Sequence, residues 1–189
     1  MPPRLPVVDL ATATPEQKAA LLEWQTDRNA PNPPGGFFGC LVNSAEGMRR
    51  LSKLGAFARF GTNLPEIPRE AAVYLTNNHA SDTLEIAIHG QTLTRLGVEP
   101  ATIAAIGQGL TADLPDGVRQ AVEFAREMLT TGRVSQPVFE AAQQVFGDQG
   151  TVELALVISY YDLIGRLRLI FTPEDEAVAP GAAAAGARA

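Results

Sequence analysis

The chain has 189 residues, of which 46% are apolar and 19% charged, with a formal net charge of −6. This composition excludes a wholly disordered chain, and the acidic balance makes a poor partner for phosphate backbones, so no nucleic-acid partner is expected. One cysteine, Cys40, excludes an intrachain disulfide or a Cys-x-x-Cys dithiol, and two histidines, His79 and His89, exclude a multi-histidine metal cage.

Residues 1–13 are proline-rich and read as a flexible N-terminal arm. They carry no hydrophobic leader segment, which makes the cytoplasm the expected location. Thr14-Pro15-Glu16-Gln17 opens a helix: Thr14 serves as N-cap, Pro15 suits the first helical position, and Gln17 can close a capping box. That helix carries Leu21, Leu22 and Trp24. It ends before Asn29-Ala30-Pro31-Asn32-Pro33-Pro34-Gly35-Gly36, a loop in which no regular element is expected.

A second helix is predicted over about residues 44–60, with Met48, Leu51, Leu54 and Phe57 at three-to-four spacing. Gly61 and Pro65 interrupt it. A third follows over residues 69–78 and a fourth over 83–96, capped by Gly97. Pro100 opens a short helix to about residue 107. Pro115 opens another that ends at Gly132, and Ser135 caps one closed by Gly147. The last helix, residues 151–171, is apolar nearly all round at its centre, as befits the middle of a core or a subunit interface. Residues 173–189 turn acidic and then Ala/Gly-rich and read as a disordered tail. The expected architecture is a single all-α domain over residues 14–172. No apolar run approaches the roughly 18 residues a membrane span needs.

One group of residues could carry chemistry. Asp82, Glu85 and His89 stand at i, i+3 and i+7, within roughly 60° of one another on one helix face. Glu70 lies 15 residues before Glu85, on the preceding helix. A short break at Asn78-His79-Ala80-Ser81 could fold the two helices together and bring Glu70 to the Glu85/His89 stripe. A carboxylate beside an imidazole fixes its tautomer and raises its basicity. The plainer reading is a capping box, with Asp82 as N-cap and Glu85 at the third position, plus a solvated Glu85–His89 pair. No repeated His/carboxylate pattern supports a metal site, and none is expected.

Three stretches extend this spacing: Arg69-Glu70-Ala71-Ala72-Val73-Tyr74, Glu85-Ile86-Ala87-Ile88-His89, and residues 96–106 from Leu96-Gly97-Val98-Glu99-Pro100. Together they resemble the carboxymuconolactone decarboxylase family, which shares its fold with alkyl hydroperoxidase D. The likeness continues through Glu123-Phe124-Ala125, Val134-Ser135-Gln136-Pro137 and Phe146-Gly147-Asp148-Gln149-Gly150 to Tyr160-Tyr161. It covers about residues 44–171.

The resemblance implies an all-α bundle around a central helical hairpin. It also implies a homo-oligomer, with trimer or hexamer favoured over a dimer, and active sites near subunit interfaces. Glu70, Glu85 and His89 match the family's acidic and histidine positions. Asp82 and Glu85 stand where the peroxidase branch carries its Cys-x-x-Cys pair, so peroxide reduction through that motif is excluded. Cys40 reads as a small buried residue.

The expected activity is a cofactor-free acid–base lyase acting on a small carboxylated lactone or related ring acid. His89 would be the general acid/base, Glu85 its partner or a second acid, and Glu70 the residue that orients it. His79, Asp82 and Tyr161 are candidate substrate contacts. Two alternatives stay open: a redox-linked enzyme of the same fold without the dithiol, and a non-catalytic oligomer that binds a small ligand.

Overall fold

The computed structural model describes residues 3–172; the tail expected over 173–189 lies outside them. Eight α-helices and no strand occur among the described residues. They are α1 (Pro15–Asp27), α2 (Gly36–Leu41), α3 (Ala45–Ala56), α4 (Glu66–Ala80), α5 (Thr83–Arg95), α6 (Pro100–Gly107), α7 (Val118–Thr131) and α8 (Gln136–Phe171). A π-helical turn, Phe57–Gly61, continues α3. None of these helices is long and apolar enough to cross a membrane.

The chain divides into two compact units. One takes in the described residues up to Phe60 and from Arg166 onward; the other is Gly61–Gly165.

In the first unit, Thr14 caps α1 through the Gln17 N–H, and the Gln17 side chain returns to the Thr14 N–H. This is the reciprocal box expected from the sequence. Ala20 and Leu21 of α1 pack with Val42 and Met48 in a buried cluster that Val8 joins. Pro6 and Val8, in the stretch before α1, are tied to this unit. The Val8 N–H donates to the Gly39 carbonyl at 2.9 Å, and Asn43 Nδ2 donates to the Pro6 carbonyl at 2.9 Å.

This contact also accounts for α2, which the glycines of its sequence concealed. A Cβ on Gly39 would stand 2.6 Å from Val7 Cγ1, so the close approach of the two segments needs a residue without one. Cys40, on the same short helix, is buried, with its Sγ 3.7 Å from the Leu5 carbonyl. Arg28 stacks on Trp24, 4.7 Å from the ring centre, and donates to the Ser52 hydroxyl at 2.8 Å, tying the end of α1 to α3.

In the second unit, α4 is the central element and packs against α5, α6 and α7. Ala71, Ala72, Val73, Leu75 and Thr76 are buried along it. Its start lies at Glu66, directly after Pro65, three residues earlier than the sequence pattern indicated. Helix α7 starts later than Pro115 suggested, because Gly117 precedes it at φ 83°, outside the helical region. Gln120 Oε1 accepts from the Gly117 N–H and closes this first turn. The break expected at Gly147 is present: φ 70° and ψ 179° interrupt α8 there. Beyond it, Leu154, Val157, Ile158, Tyr161 and Ile164 are buried at helical spacing.

Candidate functional site

Helices α4 and α5 form a tight hairpin. Ser81 adopts a left-handed conformation at φ 58° and ends α4. The Asp82 N–H then donates to the Asn77 carbonyl at 3.0 Å, and the Asp82 carboxylate accepts from the Glu85 N–H at 3.2 Å. Asp82 is thus the N-cap of α5, as the plainer reading had it. Two residues join the helices, so they run back along each other. Glu70 near the start of α4 then comes to His89, two turns into α5.

Glu70, Glu85 and His89 converge. Glu70 Oε2 lies 2.6 Å from His89 Nδ1. Because the acceptor is a carboxylate, Nδ1 carries the proton. On the other edge of the ring, Glu85 Oε2 is 3.3 Å from His89 Nε2. The Glu85 side chain has therefore turned towards the imidazole. That contact is one of charge at close range, and Nε2 is buried without a hydrogen bond. The imidazole is held firmly at one nitrogen and has a close negative neighbour, but no bound acceptor, at the other.

Burial is extreme here. His89 is 1% exposed and Glu70 5%. Desolvation opposes charge on the ring, yet the hydrogen bond to Glu70 and the close negative charges of Glu70 and Glu85 outweigh it and hold the His89 pKa above its ordinary value. The arrangement favours an imidazolium clasped by two carboxylates. Tyr161 stands edge-on to the His89 ring at 5.0 Å between centres, and Tyr160 packs edge-on to Tyr161 at 5.2 Å. The last helix thus supplies an aromatic wall.

His79 is not part of this cluster. The break in which it was expected lies farther along, at Ser81, so His79 sits in the last turn of α4 and is exposed. Nine residues after Glu70, it stands about half a turn round the helix and roughly 13 Å along its axis. It lines a separate depression described below.

Arg69 was not singled out from the sequence as a site residue. Its Nη2 donates to Glu70 Oε1 at 3.3 Å, its side chain is 12% exposed, and its Nε is buried without a partner. The signal was its adjacency to Glu70, since a cation one residue away can reach the second oxygen of that carboxylate. Among the described residues, no group of three or more His, Cys, Asp or Glu side chains is placed to hold a metal ion.

The arrangement can hold, deliver and recover one proton at His89 Nε2, in a site largely closed to water. No model of a known protein family matches the chain, and no curated protein matches it.

Proposed function

We propose that this chain is a cofactor-free acid–base lyase of the carboxymuconolactone decarboxylase type, built on the alkyl hydroperoxidase D-like arrangement. Its substrate is a small carboxylated lactone or related ring acid. The observation that carries this reading is the placement of His89 between Glu70, 2.6 Å from Nδ1, and Glu85, 3.3 Å from Nε2. Groups poised this way, with a shifted pKa in a dry setting, are a recognised mark of acid–base sites.

The chemistry follows from these positions. The substrate carboxylate leaves as CO2, and the bonding pair flows into the conjugated carbonyl as an enolate. His89 Nε2 gives its proton to a ring carbon of that enolate, which completes the product. Solvent then restores the proton. Glu70 keeps the imidazole oriented and Glu85 offsets its charge after protonation. Asp82 acts through the first turn of α5, as a positioning residue, and Tyr161 packs edge-on against the imidazole.

A panel of small carboxylated lactones, followed by CO2 release, tests the assignment. A His89→Gln variant should lose about 10²- to 10⁴-fold in turnover, the usual share of a general acid. Turnover that survives this substitution undiminished would sink the reading.

The same proposal includes self-association. Val152, Leu156 and Leu163 lie exposed along one line of α8, at intervals of four and seven residues, a stripe that favours a partner helix over water. Light scattering should give a multiple of the 20.1 kDa chain mass, with trimer or hexamer favoured. Leu156→Glu should reduce that mass, and a parent chain that elutes as a single copy contradicts the claim.

A further inference from the structure

We propose that a second site, separate from the His89 cluster, binds a small organic carboxylate. The site is a depression of about 310 Å³ where the end of α4 meets the α6–α7 connection and the later turns of α7. Its volume falls at the lower end of the range for small-ligand pockets. The inference goes beyond the proposed lyase activity and does not depend on it.

The chemistry of the lining selects the ligand. No carboxylate lines the depression, in a chain whose net charge is −6. Arg126 supplies a fixed cation, and His79, Asn78 and Gln108 stand around it with polar nitrogens. Leu75 and Leu129 provide apolar surface for a small hydrocarbon body. Arg126 is exposed, and no carboxylate among the lining residues stands against it. A guanidinium offers five N–H donors, and among the described residues Nη1 alone is engaged, donating to the Gly109 carbonyl at 3.1 Å.

That one bond matters in two ways. It pins the guanidinium at the wall of the depression, so little freedom is lost when an anion docks. It also quiets a carbonyl two residues beyond the end of α6, which would otherwise repel negative charge. The backbone is shaped for the same end. A Cβ on Gly109 would stand 3.3 Å from Arg126 Cδ, and one on Gly107 3.5 Å from the Asn78 amide. Gly109, itself at φ 67°, therefore lets the chain lie close against the Arg126 side chain, whereas the contact of Gly107 with Asn78 is an ordinary one. A carboxylate on the free side of Arg126, with the amide of Gln108 beside it and its hydrocarbon against Leu75 and Leu129, uses every feature of this surface.

Two-dimensional NMR of the full chain, titrated with benzoate and with its uncharged analogue benzamide, tests the proposal. Benzoate should shift the Gln108 and Asn78 side-chain amides and the Arg126 Nε–H saturably. Benzamide should bind at least about tenfold more weakly, the worth of one charge-assisted contact. Arg126→Gln should weaken benzoate by a similar factor. Because that change also removes the bond to Gly109, Thr130→Glu serves as a second variant. Thr130 is exposed on the rim four residues after Arg126, and a glutamate there should pair with the guanidinium and compete with benzoate. An absence of saturable shifts at these groups overturns the proposal. So does an equal response to benzamide, or a response centred on the His89 ring. The measurement needs no turnover, so a failure of the lyase assignment leaves its outcome legible.

Discussion

A Glu70→Gln variant titrates His89 at lower pH than the parent chain and loses most of the pH dependence of its stability. In the parent, burial works against the charged ring, but Glu70 and Glu85 raise its pKa above the ordinary value. The unfolded chain titrates this histidine near 6.5. A group whose folded pKa is the higher one binds its proton more tightly in the folded state. The resulting stabilisation is fully present below about pH 6.5 and fades as pH climbs through the raised folded value.

Glutamine keeps an oxygen that can accept from Nδ1 but removes the charge. The imidazolium then has lost the closer of its two counter-charges, at 2.6 Å, in a site 1% exposed. Breaking one partner out of a buried pair typically costs 3–5 kcal/mol. A loss of about 3 kcal/mol is expected at pH 6, shrinking towards pH 9. Urea unfolding at both pH values, with the His89 ring followed by NMR, measures it. A parent-like pH profile in the variant would mean that the pair has no electrostatic consequence.

Gly165→Leu is expected to be as damaging, through shape alone. Gly165 lies where α8 passes the α4–α5 hairpin. A Cβ built there would stand 2.8 Å from the Ala80 Cβ and 3.9 Å from the Asp82 Cβ. Neither neighbour is the far end of a flexible side chain, so the backbone itself must give way. Overpacking of this kind costs about 1–3 kcal/mol and sometimes more. Leucine, with four side-chain carbons where none fits, belongs at the upper end. The displaced residues include the N-cap of α5, the helix that carries Glu85 and His89. The variant should therefore show both a lower unfolding midpoint and altered His89 ring resonances. A variant with parent stability would show that α8 can retreat from the hairpin without loss.

The sequence was most informative where a local signal has one physical meaning. Thr14, Pro15 and Gln17 defined the start of α1, and Pro100 and Gly107 bounded α6. It was least informative where distant segments decide the outcome. Gly36-Phe37-Phe38-Gly39-Cys40-Leu41 has two glycines and only six residues, too little to argue for a helix alone. Its helical state goes with the Val8–Gly39 backbone bond and with the ring of Arg28, Trp24 and Phe38 packed around it. The same Val8–Gly39 bond ties one residue of the proline-rich stretch before α1 to this helix.

The site followed the same division. The 15-residue interval between Glu70 and Glu85, and the four between Glu85 and His89, made their meeting legible. Asp82 and Glu85 were compatible with two roles each. The side chains chose differently: Asp82 turns to the backbone and Glu85 to the imidazole. His79 was misplaced because α4 keeps its helical bonding two residues beyond the expected end. That carries His79 round to the far face of the helix.

Tyr74 has a further consequence. Its ring is wedged between two backbones that carry no side chain: a Cβ on Gly90 would come within 3.2 Å of Cε2, and one on Gly107 within 3.1 Å of Cε1. The ring therefore works as a shim of fixed thickness that sets how near α5 and α6 come to α4. Positions 74, 90 and 107 are consequently not independent characters in a mutational library. Alanine at either glycine is expected to be poorly tolerated while the tyrosine is present, and better tolerated once a smaller residue replaces it. The order in which such changes arise would decide which of them survive.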